Sequence, residues 1–343
     1  MKMKAREIGI KVGSLPTGMN NCITDVKGVQ VGHITLMEDL NDECIRTGVT
    51  AILPHDGNLF LEKVSAATYV ANGFGKTTGL IQIEELGCLE SPIMLTNTFS
   101  VGPVLHGTLQ YMLQENRKIG DTTSSINIVV GECNDSYLNS ARLLAVKPEH
   151  AIEAIQNATS NQAEEGAVGA GTGTMCFGYK GGIGSSSRMI SFEELTFTVG
   201  MLVQSNFGKK EEFRYAKSVE EDHTERPDGS IMMVLATDAP LSDRQLKRLA
   251  KRCIVGLSRT GSHIHNGSGD VVIAFSNAEK IPHDTKEAIE QRKILRDDHP
   301  IMNLLFQAAA EATEEAILNS LTQAEMTTGR KGRIGETVPI GAM

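Results

Sequence analysis

In the stretch Arg259-Thr-Gly-Ser-His-Ile-His-Asn-Gly-Ser-Gly-Asp-Val-Val-Ile-Ala-Phe-Ser276, a polar, glycine-rich loop runs directly into a segment of apolar and β-branched residues. A short apolar run that is bounded by turn residues predicts a buried strand. The loop therefore places Ser268 at the entrance of such a strand. A hydroxyl group held at that position is a candidate nucleophile.

A serine hydroxyl is a weak nucleophile at neutral pH, so Ser268 requires a base. His263 and His265 lie close in sequence and could act as that base or, with further ligands, as half of a metal site. The other route is self-cleavage, in which the Ser268 hydroxyl attacks the Gly267 carbonyl and water hydrolyses the resulting ester. The freed α-amine of Ser268, with a reference pKa of about 7.7–8.0, is then a base attached to the nucleophile. Taken alone, Asn266-Gly-Ser-Gly-Asp270 favours an ordinary turn.

The composition predicts a compact, soluble protein. The chain has 343 residues and a net charge of -9, and no basic run stands out, which argues against nucleic acid or an anionic membrane as a partner. The N-terminal residues lack the apolar region of a signal peptide, and no apolar run is long enough to span a bilayer. The six cysteines form no Cys-x-x-Cys pair, so we expect free thiols and a cytoplasmic location.

Polar side chains are predicted at the ends of other strands. A β-branched strand ends at Glu132, and Asp135 or Ser136 is available to cap the segment that follows, which leaves Glu132 without that role. The predicted strand 196–203 is followed by Asn206, an amide presented in the same way. Both side chains are therefore candidates for a pocket at the edge of a sheet.

Two glycine-rich segments resemble nucleotide-binding motifs but do not match them. Gly73-Phe-Gly-Lys-Thr77 looks like the end of a phosphate loop, yet the first glycine of that motif would fall at Val70. Gly169-Ala-Gly-Thr-Gly173 has the wrong spacing for a dinucleotide fingerprint and leads toward a strand instead of a clear helix. We interpret the second segment as a loop that lines a site, with backbone N–H groups free to bind an oxyanion.

The periodicity of apolar residues predicts alternating helices and strands with short connections. This pattern is typical of a layered α/β or α+β protein. A charged segment, 209–230, is predicted to be a mobile surface loop. The helices are predicted at 80–87, 103–115, 138–144, 148–159, 242–256 and 300–325.

Several motifs, in order along nearly the whole chain, resemble the self-processing L-aminopeptidase/D-amino-acid esterase family, which includes the β-peptidyl aminopeptidases. The motifs are Ile23-Thr-Asp-Val-Lys-Gly-Val-Gln-Val-Gly-His33, Thr47-Gly-Val-Thr-Ala-Ile-Leu-Pro54, Gly169-Ala-Gly-Thr-Gly173, Lys180-Gly-Gly-Ile-Gly184, Leu202-Val-Gln-Ser-Asn206, Asn266-Gly-Ser-Gly-Asp270 with Ala274-Phe-Ser276, and Glu311-Ala-Thr-Glu-Glu-Ala316.

The resemblance implies a four-layer αββα sandwich, like that of the N-terminal-nucleophile hydrolases but with different connectivity. It implies one catalytic domain, 1–343, that is cut between Gly267 and Ser268 into chains 1–267 and 268–343. The two chains stay together in a homo-oligomer, often a tetramer. The implied activity is release of an N-terminal residue from peptides, amides or esters, without a metal or organic cofactor.

The resemblance also implies roles for individual residues. Ser268 becomes the nucleophile and, through its α-amine, the base, while Asn206 stabilises the oxyanion and Glu132 binds the substrate's ammonium group. The family's hydroxyl-x-Glu pair maps to Thr313 and Glu315, with threonine in place of the commoner serine. Family members often carry an aromatic residue two positions after the glutamate. This chain has Asn134 there, a departure that bears on substrate preference.

Two other functions are compatible with this sequence. The ornithine acetyltransferases are self-processing acyltransferases of similar architecture, but they generally expose a threonine where this chain offers serine. A non-catalytic protein that binds small molecules could keep the fold without the chemistry. Self-cleavage and amidase activity would distinguish the predicted enzyme from both.

Overall fold

The computed structural model describes residues 2–216 and 229–339. The middle of the charged segment that was predicted as a mobile loop, 217–228, lies outside the described residues. Within the described part, the α-helices are α1 Leu80–Leu86, α2 Val101–Glu115, α3 Pro148–Gln156, α4 Asp243–Thr260 and α5 Ile301–Thr322. The strands there are β1 Gln30–Leu40, β2 Glu43–Leu53, β3 Glu62–Gly73, β4 Cys88–Leu89, β5 Ile93–Asn97, β6 Val129–Cys133, β7 Met175–Cys176, β8 Tyr179–Lys180, β9 Gly182–Phe192, β10 Leu195–Asn206, β11 Ser230–Thr237, β12 Gly269–Pro282, β13 Thr327–Thr328 and β14 Ile334–Gly335.

Two large sheets organise the chain. The first has the strand order β1-β2-β5-β6, and the second has the order β4-β3-β12-β11-β10-β9. In the second sheet, β11 and β12 are parallel and the other neighbours are antiparallel. The strand after the glycine-rich loop, β12, thus lies in the interior of the larger sheet.

The two sheets pack face to face, and helices cover both outer faces. Apolar side chains from both sheets form a shared core, among them Ile52, Leu95, Val129, Leu202, Val234 and Ile273. A second core joins α4 and α5 to the other face of the six-stranded sheet, and a third joins α2 and α3 to the four-stranded sheet. This arrangement confirms the αββα order of layers. Burial of both faces explains why the central strands read as continuous apolar runs.

Close packing of the helix layer depends on two glycines. A Cβ atom on Gly256 of α4 would lie 2.3 Å from the backbone oxygen of Ala310, and one on Gly184 of β9 would lie 1.9 Å from that of Ala316. Since both distances are far inside van der Waals contact, any side chain there would push α5 away. The small residues of α5 therefore serve close approach to α4 and β9.

Five of the six predicted helices form. The cap of α4 is as expected, because the Ser242 hydroxyl accepts a hydrogen bond from the Gln245 backbone N–H at 3.2 Å. The helix predicted at 138–144 was wrong: that segment contains only a short 3₁₀ turn, Ala141–Leu143. The backbone N–H groups of Leu138 and Asn139 bond to the Asp135 carbonyl, and Leu144 then adopts a left-handed φ of 49°, so the turn does not propagate.

Four strand ends of the six-stranded sheet meet at one edge. In the register of the sheet, Gly269 at the start of β12 pairs with Gly73 at the end of β3 on one side and with Ser230 at the start of β11 on the other. Ser230 pairs in turn with Asn206 at the end of β10. The segments that follow or precede these strands, including Ser268, therefore share one rim, which we call the serine edge.

Candidate active site

Ser268 is buried at the serine edge in a tight turn. Its backbone N–H donates to the His265 carbonyl at 3.0 Å, which closes the turn His265–Ser268. Its hydroxyl donates to Asp270 Oδ1 at 2.8 Å. The structure describes the chain as one continuous polypeptide, so the Ser268 nitrogen belongs to a peptide bond.

The side chain of Asn72, on β3, holds the backbone on both sides of the Gly267–Ser268 bond. Its Nδ2 group lies 3.2 Å from the His265 carbonyl and 3.0 Å from the Asn266 carbonyl, and it also donates to the Ser268 carbonyl. The Phe74 N–H donates to the same Ser268 oxygen at 3.3 Å. The turn is therefore anchored to a rigid strand, as a reacting peptide bond requires.

Asp270 follows Ser268 by two residues, so the strand alternation places the two side chains on the same face. The Asp270 side chain is buried, and its Oδ2 atom has no hydrogen-bond partner among the described residues. Burial raises the pKa of Asp270 to about 6, against the opposing effects of the Ser268 hydrogen bond and the nearby His265. A group of this pKa is ionised, and basic, at neutral pH.

Glu132 approaches the serine edge from the other sheet, at the end of β6. Its Oε1 accepts the Lys76 backbone N–H at 2.8 Å, and its Oε2 accepts the Thr98 hydroxyl. A Cβ atom on Gly75 would lie 3.3 Å from Glu132 Oε1 and 3.7 Å from the Gly269 Cα. One glycine therefore separates the carboxylate from the residue next to Ser268.

Asn206 ends β10 two strands away from β12, about 10 Å by ordinary strand spacing. Its Oδ1 accepts the Met175 backbone N–H at 2.9 Å, which orients the side chain. That bond occupies the oxygen and leaves the Nδ2 donor of the same amide out of the contact. The amide can therefore donate to a ligand at the serine edge.

Lys180 organises the glycine-rich loop beside Asn206. Its Nζ donates to the carbonyls of Gly171, Thr174 and Gly181 at 2.9, 2.9 and 2.6 Å, which satisfies all three donors of an ammonium group. Burial lowers the pKa of Lys180 to about 7, although the negative potential of Asp135 opposes this shift. Burial likewise raises the pKa of Asp135 to about 7. In the sequence, Lys180 was identified only as part of a motif, and no role was predicted for it.

Other predicted site residues have local partners. Asn134 is half-buried, and its Oδ1 accepts the Ser136 backbone N–H at 3.0 Å, so the side chain shapes the turn after β6. His265 Nε2 lies 2.7 Å from Glu212 Oε1. No three histidine, cysteine, aspartate or glutamate side chains in the described residues are grouped so that they could hold a metal ion.

Thr313 and Glu315 are not brought to Ser268. Both are buried in α5, where the Thr313 hydroxyl donates to the Ala309 carbonyl at 2.7 Å. Glu315 binds Arg6, Asn21 and Arg188, and Arg188 belongs to β9, three strands from β12. The catalytic role expected for the hydroxyl-x-Glu pair stays a prediction. The side chain that does contact the serine hydroxyl is Asp270, which strand alternation alone could have identified.

Comparison with known proteins gives a matching family model and two sequence relatives. The family model described as Peptidase family S58 matches residues 21–335. The β-peptidyl aminopeptidase BapA of Sphingosinicella microcystinivorans is 38% identical over 98% of this chain and 89% of its own length. The enzyme of the same name from Sphingosinicella xenopeptidilytica is 36% identical over 95% of this chain and 86% of its own length.

Three solved structures share the whole architecture. A protein from Pyrococcus horikoshii OT3 is 51% identical with a TM-score of 0.92, and the match covers 99% of this chain and 97% of that one. A β-aminopeptidase from a Burkholderia species is 37% identical with a TM-score of 0.93 and the same coverage. The L-aminopeptidase D-Ala-esterase/amidase of Ochrobactrum anthropi, described as a variant of the N-terminal-nucleophile hydrolase fold, is 33% identical with a TM-score of 0.90 over 99% and 96% of the two chains.

Proposed function

The chain belongs to peptidase family S58 and is an aminopeptidase/amidase, and from this premise we propose that it cuts itself between Gly267 and Ser268 and uses the new N-terminal serine as its nucleophile. The observation that carries the proposal is the placement of Ser268. It lies in an anchored turn at the serine edge, where the strands that carry Asn206 and Glu132 also end.

In the proposed mechanism, the free α-amine of Ser268 takes the proton from the Ser268 hydroxyl as Oγ attacks the substrate's carbonyl carbon. Asn206 Nδ2 donates a hydrogen bond to the oxyanion of the tetrahedral intermediate. The amine then protonates the leaving group, which departs, and water hydrolyses the acyl-enzyme. The released acid is the substrate's N-terminal residue.

Glu132 is proposed to bind the ammonium group of that residue. Its carboxylate is already oriented by Lys76 and Thr98, so binding costs little rotational freedom. Asn134 lies two residues further on and is proposed to border the same subsite, where a polar side chain replaces the aromatic residue common in the family. The substrates are therefore peptides, amides or esters with a free N-terminal amine.

We do not extend the catalytic assignment to Thr313 and Glu315. The separation of three strands between β9 and β12 is about 14 Å by ordinary spacing, and the Glu315 carboxylate is occupied by two arginines. These contacts support a structural role for Glu315.

Both cleavage products are expected to stay associated. The chain 268–343 carries β12, which is hydrogen-bonded to β3 and β11 inside the six-stranded sheet, and α5, which packs on α4 and β9. Separation would expose the interiors of both layers. By resemblance to the family, we propose a homo-oligomer, and the six free cysteines support a reducing, cytoplasmic setting. In the described part of the chain, no helix is both long and apolar enough to cross a membrane.

The test is a Ser268→Ala variant beside wild type, with Ser258→Ala as the control because Ser258 is an exposed serine on α4. We expect mass spectrometry of the wild type and the control to show chains of 267 and 76 residues, and Ser268→Ala to remain one chain without amidase activity. A Ser268→Ala protein that still hydrolyses amino-acid p-nitroanilides would contradict the assignment of the nucleophile.

A further inference from the structure

The proposed self-cleavage needs a base other than the one that serves the mature enzyme. Before cleavage, the Ser268 nitrogen is part of an amide, and an amide nitrogen does not accept a proton at neutral pH. The α-amine therefore cannot activate the Ser268 hydroxyl in the first reaction. Another side chain must remove that proton, and this inference rests on the self-cleavage proposed above.

Asp270 has the position that this first reaction requires. Its Oδ1 accepts the Ser268 hydroxyl at 2.8 Å, within the distance for direct proton transfer. The carboxylate is held by a strand that is paired on both sides, to Ile231 of β11 and Asn72 of β3. The same Asn72 side chain holds the carbonyls around the scissile bond. Base and scissile bond are thus fixed relative to one another.

The surroundings of Asp270 are those of a reactive group. The side chain is buried and Oδ2 has no partner among the described residues, so the carboxylate is incompletely solvated. A carboxylate with a merely structural role would be expected to have its hydrogen bonds satisfied. The raised pKa is consistent with this desolvation and strengthens Asp270 as a base.

Two other bases near the turn are engaged elsewhere, and the third, His263, is exposed. The His265 ring is paired with Glu212, and both oxygens of Glu132 accept hydrogen bonds from the loops at Lys76 and Thr98. Within the described residues, the hydrogen bond from the Ser268 hydroxyl goes to Asp270.

We propose that Asp270 is the general base of self-cleavage. Its carboxylate takes the hydroxyl proton as Ser268 Oγ forms a bond to the Gly267 carbonyl carbon. The same proton passes to the Ser268 nitrogen as the carbon–nitrogen bond breaks. The products are an ester between Gly267 and Ser268 Oγ and a free α-amine, and water then hydrolyses the ester to the Gly267 carboxylate and the Ser268 hydroxyl.

The experiment compares wild type, Asp270→Asn and Asp284→Asn. Asn keeps the size of Asp but not its basicity, and Asp284 is an exposed aspartate of the same C-terminal segment. Each full-length chain is made in a pulse of cell-free translation, and the appearance of chain 268–343 is followed on gels and by mass spectrometry. We expect Asp270→Asn to cleave about 10²–10⁴-fold more slowly, the usual effect of losing a general base, and Asp284→Asn to match wild type.

Hydroxylamine identifies the step that is affected, because at neutral pH it cuts the Gly267–Ser268 ester much faster than a peptide bond. Its slow cleavage of Asn–Gly bonds, which this chain has at Asn72–Gly73 and Asn266–Gly267, gives fragments of different mass. We expect it to leave Asp270→Asn uncut, since the ester does not form without the base. If hydroxylamine cuts Asp270→Asn as fast as wild type, Asp270 acts after ester formation and the proposed proton transfer is overturned. Cleavage of Asp270→Asn at the wild-type rate without hydroxylamine overturns it as well.

Asp270→Glu provides a second test if the Asn variant does not fold. It retains a carboxylate but moves it by one methylene, so we expect slower cleavage than in wild type, and an unchanged rate would overturn the need for this geometry. Failure of the underlying function gives a different result: wild type would then remain uncut, or Ser268→Ala would still be cut at the same bond.

Discussion

Two groups of buried charges lie at different levels of the six-stranded sheet and differ in how fully their carboxylates are paired. At the serine edge, Asp270 accepts one hydrogen bond and leaves Oδ2 unpaired among the described residues. Further along β12, at the level of Ser276, Arg188 of β9 binds Glu311 at 3.1 Å and Glu315 at 2.6 Å. We call the second group, completed by Arg6, the arginine network.

The pKa shifts of Glu311, in the arginine network, and Asp270, at the serine edge, have opposite directions. Burial acts to raise the pKa of Glu311, but hydrogen bonds from Gln307, the backbone of Ser14 and Leu15, and Arg188 outweigh it and lower the pKa. At Asp270, burial prevails and the pKa rises to about 6. Hydrogen bonds to the charged form thus outweigh burial at Glu311, whereas at Asp270 they do not.

The largest effect on stability is expected from Glu315→Ala. Its removal leaves Arg188 buried with one carboxylate fewer, and breaking a buried pair in this way costs about 3–5 kcal/mol. Denaturant unfolding measures the loss. The control is Glu325→Ala, because Glu325 is 67% exposed and its ion pair with Lys2 spans 3.6 Å. An unfolding free energy within about 1 kcal/mol of wild type would show that the network does not hold the fold.

The next largest effect is expected on catalysis, from Asn206→Ala. Losing one oxyanion donor typically lowers kcat by about 10²–10³-fold. The unfolding free energy should fall much less than in Glu315→Ala, since Asn206 gives up one hydrogen bond, with the Met175 N–H. Steady-state kinetics of the cleaved enzyme measures the change, with the exposed Asn157→Ala as control. A kcat close to wild type would exclude Asn206 from oxyanion binding.

The positions of Glu132 and Asn206 at strand ends could be predicted from local sequence. Glu132 and Asn206 each follow an apolar run, and the direction of a strand determines at which end its last residue emerges. The layered class followed from the alternation of helices and strands. The choice of an αββα sandwich required the family resemblance, because apolar runs alone do not reveal which strands are neighbours.

Contacts between segments that are distant in sequence could not be predicted from the sequence patterns. Glu315 is bound by Arg6 and Arg188, which are 309 and 127 residues away, so no local pattern predicted these contacts. Lys180 likewise binds three carbonyls whose proximity depends on the folded loop. Asp270 could have been found, because residues two apart on a strand share a face.

The smallest of the three effects is expected from Glu132→Gln, which changes substrate binding at the serine edge. The amide keeps the shape of the side chain, and its oxygen can still accept from the Lys76 N–H while its nitrogen donates to the Thr98 hydroxyl oxygen, but it loses the charge that attracts an ammonium group. A hydrogen bond to a charged group contributes about 1.5–3 kcal/mol, so we expect KM to rise about 10–100-fold with little change in kcat.

The matched control is Glu149→Gln, because Glu149 is an exposed acid in the first turn of α3. The comparison is sharpest with two substrates, an amino-acid p-nitroanilide and its N-acetylated form. Glu132→Gln should bind the free-amine substrate less tightly than wild type does. Any activity on the acetylated substrate, which has no ammonium group, should be unaffected by the substitution. An unchanged KM for the free-amine substrate would reject Glu132 as the ammonium site, and it would leave the serine edge without a charge that selects N-terminal residues.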